Sequence, residues 1–168
     1  MNTLPLRTLA LGDLPHELTN TRKVLERIPF GRDDWSPHPK SFSVRKLGLH
    51  CANLPFWGSQ ILKADFYDFK APQPPAPPVP ATSADLLAHF DRNVRDMTTA
   101  MDGASDAQLL ATWTLRSGDA VMSQMPRAAA IRTFMVNHLI HHRGQLTVYL
   151  RLLDVKVPGL YGASADEK

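Results

Sequence analysis

The stretch that decides the reading of this chain is Ile131-Arg-Thr-Phe-Met-Val-Asn-His-Leu-Ile-His-His-Arg-Gly-Gln-Leu-Thr-Val-Tyr-Leu-Arg151. Apolar residues return at helical spacing through it: Ile131, Phe134, Met135, Leu146, Tyr149 and, two residues beyond, Leu153. At roughly 100° per residue, positions four apart lie within about 40° of one another. His138 and His142 are such a pair, and helical arithmetic puts them at the centre of the stripe, with His141 at its edge. Imidazoles facing a core must be hydrogen-bonded or must hold a metal, because burying their nitrogens unpaired is costly. Two readings follow: a pair of hydrogen-bonded core histidines, or two ligands of one metal ion, as in helical His-x3-His elements.

A metal site needs a third ligand. His38 stands between prolines in a loop, His16 in the first turn of a helix, and His89 beside an apolar helical stripe. His50 lies near the apolar face of its helix, and its placement is the best of the four. Spacing alone does not decide between His50, His89 and His16. Cys51 points about 100° away from His50 and reads as a small core residue.

Outward from the histidines, four long segments have helical character. The first runs from about Leu14 to Ile28, with Asp13 as N-cap, Pro15 in the first turn, and Leu18, Val24, Leu25 and Ile28 as its stripe. The second runs from Ser41 or Ser43 to about Tyr67 on Val44, Leu47, Cys51 and Leu54, with a kink expected at Pro55. A stiff extended linker follows over residues 71–80, too rich in proline to be helix. The third helix runs from Thr82 or Ser83 to Met101 on Leu86, Leu87, Phe90, Val94, Met97 and Met101. Residues 109–125, centred on Ser117-Gly118-Asp119, read as a hairpin or an irregular excursion. The fourth helix runs from Pro126 to Leu153, and a turn-rich tail follows. The expected fold is all-α, a four-helix bundle with this short insertion before the last helix, in one domain over residues 1–168.

Composition narrows the class. With 43% hydrophobic and 21% charged residues, a chain of 168 has enough apolar material for one full core. The formal charge of +3 is too small, and the basic residues too scattered, to argue for nucleic acid. A single cysteine excludes an internal disulfide and any zinc site built on several thiolates. No apolar run approaches the roughly 20 residues of a membrane span, and the N-terminus has no signal-peptide pattern. A cytoplasmic protein without membrane or nucleic-acid partners is the expectation.

His138-Leu-Ile-His-His-Arg-Gly-Gln-Leu-Thr-Val-Tyr-Leu-Arg-Leu-Leu153, followed by Val157-Pro-Gly-Leu-Tyr-Gly-Ala-Ser-Ala-Asp-Glu167, resembles the C-terminal signature of DinB-like proteins of the YfiT type. The N-terminal half agrees in Glu17-Leu-Thr-Asn-Thr-Arg-Lys-Val-Leu-Glu-Arg-Ile-Pro29, in residues 34–43, and in Leu49-His-Cys-Ala-Asn-Leu-Pro-Phe-Trp57. The specific part is His-x3-His followed by Arg-Gly-Gln. The resemblance implies up-down-down-up connectivity and a three-histidine metal site, with His50 joining His138 and His142. It also implies zinc or nickel, or else iron, cobalt or manganese, as the divalent ion, and a homodimer. The activity implied is that of a thiol S-transferase or hydrolase acting on a small-molecule substrate, with a low-molecular-weight thiol as co-substrate and a stress or detoxification role. The alternative is a non-catalytic metal-binding stress protein that acts through dimerisation or ligand binding.

Three neutral imidazoles would leave a fourth position open, as in catalytic rather than structural zinc. Asn53, Asn137, Gln145 and Tyr149 are candidates for orienting the ligands, while no acid or base is named by the sequence. Gly144 reads as a close-approach point for a neighbouring helix, and Arg143 as a surface or interface ion-pair former pointing away from the histidines. Trp35, Trp57 and Trp113 read as packing anchors, and Tyr161, Ser164 and Asp166 as packing elements of the tail.

Overall fold

Two hydroxyl caps start the two longest helices. Ser43 accepts from the Lys46 amide at the start of α3 (Val44–Lys63). Thr82 accepts from the Asp85 amide while the Asp85 carboxylate accepts from the Thr82 amide, a reciprocal box opening α4 (Ser83–Asp102). Thr82→Ala is expected to cost about 1 kcal/mol, read as a lower urea midpoint at unchanged slope. The computed structural model that provides these details describes residues 4–73, 75–76 and 78–167. Pro74 and Pro77 of the expected linker lie outside the described residues. The rest of that linker runs without helix or strand, as its proline content requires.

A short α1 (Leu6–Leu11) leads into α2 (Leu14–Leu25), which has Pro15 in its first turn. Asp13 stands at the N-cap position, but its side chain makes no cap bond and is paired with Arg132 instead. Helix α3 ends at Lys63, short of the expected Tyr67. The residues beyond it form β1 (Phe66–Asp68). After α4 come α5 (Asp106–Leu110), β2 (Thr112–Ser117) and β3 (Ala120–Pro126). The last helical run is α6 (Arg127–Ile131), a π-helical segment (Arg132–Asn137) and α7 (His138–Leu152), continuous with one another.

The fold is therefore mostly helical, but not all-α. The expected insertion is an antiparallel β2–β3 hairpin that turns at Gly118, where φ is +61° and a side chain would be strained. Strand β1 adds in parallel to β2, with Phe66 opposite Thr114 and Asp68 opposite Arg116, so the sheet has three strands. The Asp68 carboxylate accepts from the Gly118 amide at 2.9 Å and pairs with Arg116 at 3.1 Å, which fixes β1 against the turn. Extending the second helix to Tyr67 missed this because three residues are too few to show a period-2 pattern.

The core lies between α2, α3, α4 and the α6–α7 run, which pack on one another. Leu18, Val24 and Leu25 meet Leu47, Cys51, Leu54 and Ile61, with Leu86, Phe90 and Met97 from α4 and Met135, Leu139, Leu146 and Leu150 from the last run. Trp113 carries the sheet onto this core. Arg127, also buried, donates to the carbonyls of Ile61 and Ala64 and pairs with Asp65, tying the C-terminal end of α3 to the hairpin.

The tail straps α2 and α7 together. Asp166 pairs with Arg151 at 2.6 Å and accepts from the Val157 amide. The Leu160 carbonyl accepts from Asn20. The Tyr161 hydroxyl meets Arg143 and Glu17. Among the described residues, no helix is long and apolar enough to cross a membrane.

Candidate metal centre

Helix α3 and the start of α7 place His50, His138 and His142 together. Nε2 of His138 lies 3.2 Å from Nε2 of His50 and 2.9 Å from Nε2 of His142. One nitrogen from each ring lies within 4.8 Å of the other two, so the group could hold a metal ion. A tetrahedral ion with metal–nitrogen distances of about 2.0–2.1 Å keeps neighbouring nitrogens about 3.3 Å apart. The separations of 3.2 and 2.9 Å from His138 lie near that value. A neutral imidazole has one N–H and one lone pair. Three rings whose Nε2 atoms converge cannot all be satisfied by one another, whereas a cation takes all three lone pairs at once.

Each ring has a reason to face this way. Gln145, three residues on, sets its Oε1 2.7 Å from Nδ1 of His142. A carbonyl oxygen only accepts, so the proton sits on Nδ1 and Nε2 presents its lone pair inward. The His138 ring, at the start of α7, lies beside the Phe134 backbone, which favours its protonated form. Phe42 packs edge-on to His50, with ring centroids 6.0 Å apart. These contacts orient the imidazoles for any ion they take up.

The electrostatics favour the neutral form of His50 and His138. Burial, helped by the charges of His142 and His138, lowers the His50 pKa to about 4. Burial and His142 also lower that of His138, against a raising contribution from the Phe134 backbone. A histidine unfolded titrates near 6.5, so between that value and about 4 the unfolded chain binds more protons than the folded one. Stability of chelator-treated protein is therefore expected to fall as pH drops from 6.5 towards 4. Urea midpoints measured across that range check it; a midpoint that rises on acidification would contradict the assignment.

The other predicted positions separate clearly. Gln145 touches the group. Asn53 does not: its Oδ1 lies 2.5 Å from His89 Nε2, and His89 is further held by Asn93 and Arg92. Tyr149 packs edge-on to Trp35, and Asn137 is exposed. His16 bonds Asn20, and His38 is exposed. His141 is exposed, with its ring centroid 4.8 Å from that of His142. Cys51 is fully buried, and burial pushes its pKa up to about 12, so it is a core residue as expected. A cavity of about 510 Å³ between α1, α2 and α4 has Leu18, Phe90 and Met101 among its walls and none of the three histidines, so it is a separate feature.

Two readings of the last helix need correction. Arg143 is not on the surface: it is 1% exposed and pairs at 2.5 Å with the buried Glu17. Gly144 does not admit a neighbouring helix, since a Cβ there would meet nothing within 4 Å. The Arg143 error and the placing of His138 and His142 at the centre of the stripe have one source. The buried line is Ile131, Met135, Leu139, Arg143, Leu146 and Leu150, and the two half-buried histidines flank it. The i→i+5 bonding between 132 and 137 widens a turn and shifts the phase of everything after it. Uniform helical arithmetic carried from Ile131 to Leu146 cannot register that shift. The π segment and Phe42 were the parts of the site that sequence reasoning missed. A run of positions four apart, 131, 135, 139 and 143, is the available signal for the first; nothing in the local pattern marks the second.

The family model described as DinB family matches residues 16–168. A curated relative, the uncharacterized protein YrdA of Bacillus subtilis (strain 168), is 43% identical over 44 residues, which is 26% of this chain and 26% of that protein. The match thus spans about a quarter of that relative's length. A DinB-like protein from Bacillus cereus ATCC 10987 superposes with a TM-score of 0.67 at 19% identity, over 90% of this chain and 95% of that one. A DinB-like protein from Bacillus subtilis, YjoA, gives 0.66 at 15% identity, over 95% and 98%. At these identities the two structures speak for the fold alone.

Proposed function

Because the chain belongs to the DinB family, we propose that the convergence of His50, His138 and His142 is a divalent-metal site and that the protein is a metal-dependent enzyme of small-molecule chemistry. The observation that carries this is the approach of three Nε2 atoms at 2.9 and 3.2 Å on two helices, with no carboxylate among the ligands. A divalent ion held there, zinc or nickel before iron, cobalt or manganese, would supply Lewis acidity that lowers the pKa of a coordinated water or thiol. The reaction class that fits is transfer of a low-molecular-weight thiol to an electrophile, or hydrolysis.

The chain's own residues do the rest. His50, His138 and His142 bind without cancelling the charge of the ion, and three ligands leave room for an exchangeable fourth. Gln145 keeps the proton of His142 on Nδ1. The buried thiol of Cys51, with its pKa pushed up to about 12, offers neither a ligand nor a nucleophile. Gln145→Ala is expected to weaken metal affinity by about 10- to 100-fold, measured by competition with a chromophoric chelator. An unchanged affinity would show that packing alone orients His142.

The test of the whole reading is elemental analysis of protein purified without added metal or affinity tag, followed by turnover assays on thiols with electrophiles and on esters. About one divalent ion per chain and turnover lost on chelation support it. One ion per chain with no turnover across the panel supports instead a metal-binding stress protein that works through ligand binding or dimerisation. A chain that neither contains nor takes up metal removes both.

A further inference from the structure

The lip of the three-histidine site carries a cation, Lys46, that forms no salt bridge among the described residues. Lys46 precedes His50 by four residues on α3, so the two side chains leave the same face one turn, about 6 Å, apart. The Lys46 Nζ stands 4.4 Å from the centre of the Phe42 ring, and that ring packs edge-on against His50. Phe42 is thus a bridge between the ammonium and the site. The nearest acidic residues in sequence, Asp33 and Asp34, are both engaged by Arg45: its guanidinium donates to Asp33 at 3.1 Å and lies 3.6 Å from Asp34. Lys46 is exposed and pairs with an aromatic face instead of a carboxylate. All three candidate ligands are imidazoles, which bind a metal as neutral donors, so an ion held by them would keep its full charge.

Resting on the metal reading above, we propose that Lys46 is a specificity-determining residue that selects substrates bearing a carboxylate a few bonds from the atom that reaches the histidine-held ion. Phe42 holds the ammonium towards the site, and its ring supplies an apolar wall for the carbon chain between the two charged ends. A neutral substrate of the same length gains the ion and the wall but not the ammonium.

The experiment uses cobalt(II)-loaded protein and two short thiols as probes, 3-mercaptopropionate and the neutral 2-mercaptoethanol. Thiolate coordination is read from the sulfur-to-cobalt absorption in the near ultraviolet, which gives a dissociation constant for each probe. The ratio of the two constants is compared between wild type, Lys46→Met and Lys46→Arg, so that differences intrinsic to the thiols cancel. The expected result is a preference for the carboxylate probe about fivefold larger in wild type than in Lys46→Met, as one exposed charge contact supplies. It should shrink at high salt and be restored in Lys46→Arg. Equal ratios in wild type and Lys46→Met, with clear thiolate bands from both probes, would overturn the role of Lys46 while leaving the metal site standing. Cobalt bound without a band from either thiol would remove the exchangeable position and the proposal with it. Failure to bind cobalt would overturn the metal reading itself.

Discussion

His142→Ala and His138→Ala are each expected to drop the metal content from about one divalent ion per chain to near zero after dialysis. Each variant removes one of three nitrogens that lie 2.9–3.2 Å from a neighbour, and nothing stands ready to replace it. Cys51 is fully buried, and His141, though its ring lies beside that of His142, is outside the convergent group. The loss should also show in stability. An ion that binds only the folded chain stabilises it by about 4 kcal/mol when present at a thousand times its dissociation constant. Added zinc should therefore raise the unfolding midpoint of wild type and leave those of the two variants unmoved. Wild-type ion content in both variants, measured by elemental mass spectrometry, would sink the three-histidine assignment.

The second large effect is expected at Arg143. Its guanidinium donates to the Glu17 carboxylate at 2.5 Å, to the Glu17 carbonyl at 2.9 Å and to the Tyr161 hydroxyl at 2.6 Å. The side chains of Arg143 and Glu17 are 2% and 5% exposed. Removing one member of a buried pair typically costs about 3–5 kcal/mol, and here it would leave the Glu17 carboxylate buried with no countercharge and only the Tyr161 hydroxyl donating to it. Arg143→Met should lower stability by about that much. The double variant Arg143→Met with Glu17→Gln should recover part of the loss, because no charge is then stranded. Urea unfolding of wild type, both single variants and the double variant closes the cycle. A loss under about 1 kcal/mol in Arg143→Met would mean that the pair is solvated in solution. Arg143 follows His142 directly, so the single variant should also loosen the metal site.

The family signature, the long helices and all three convergent histidines were legible before any coordinates. The apolar positions of α2, α3 and α4 recur at regular spacing, and Leu18, Leu47, Leu54, Leu86, Phe90 and Met97 are buried as that spacing requires. Ser43 and Thr82 mark helix starts through their cap chemistry. The choice of His50 over His89 came from resemblance; placement alone left it open, and the structure sets His89 against Asn53 instead. Three things were not legible. Strand β1 owes its existence to β2, some fifty residues away in sequence, and not to its own residues. Helix α1 spans six residues, too short to declare a period. The phase shift at the π segment depends on which carbonyl each amide chooses, a tertiary decision that turned Arg143 inward.

Cys51 turns the chain into its own unfolding clock. It is the one sulfhydryl in the sequence, it is sealed in the core between α3 and its neighbours, and its proton is held to about pH 12. An alkylating reagent can reach it only in molecules that have opened, and when reclosing outruns alkylation the labelling rate reports the population of open chains. Mass-spectrometric counting of alkylated chains, with and without metal and in the Arg143 and histidine variants, would read every stability difference argued above on one scale, with no added probe.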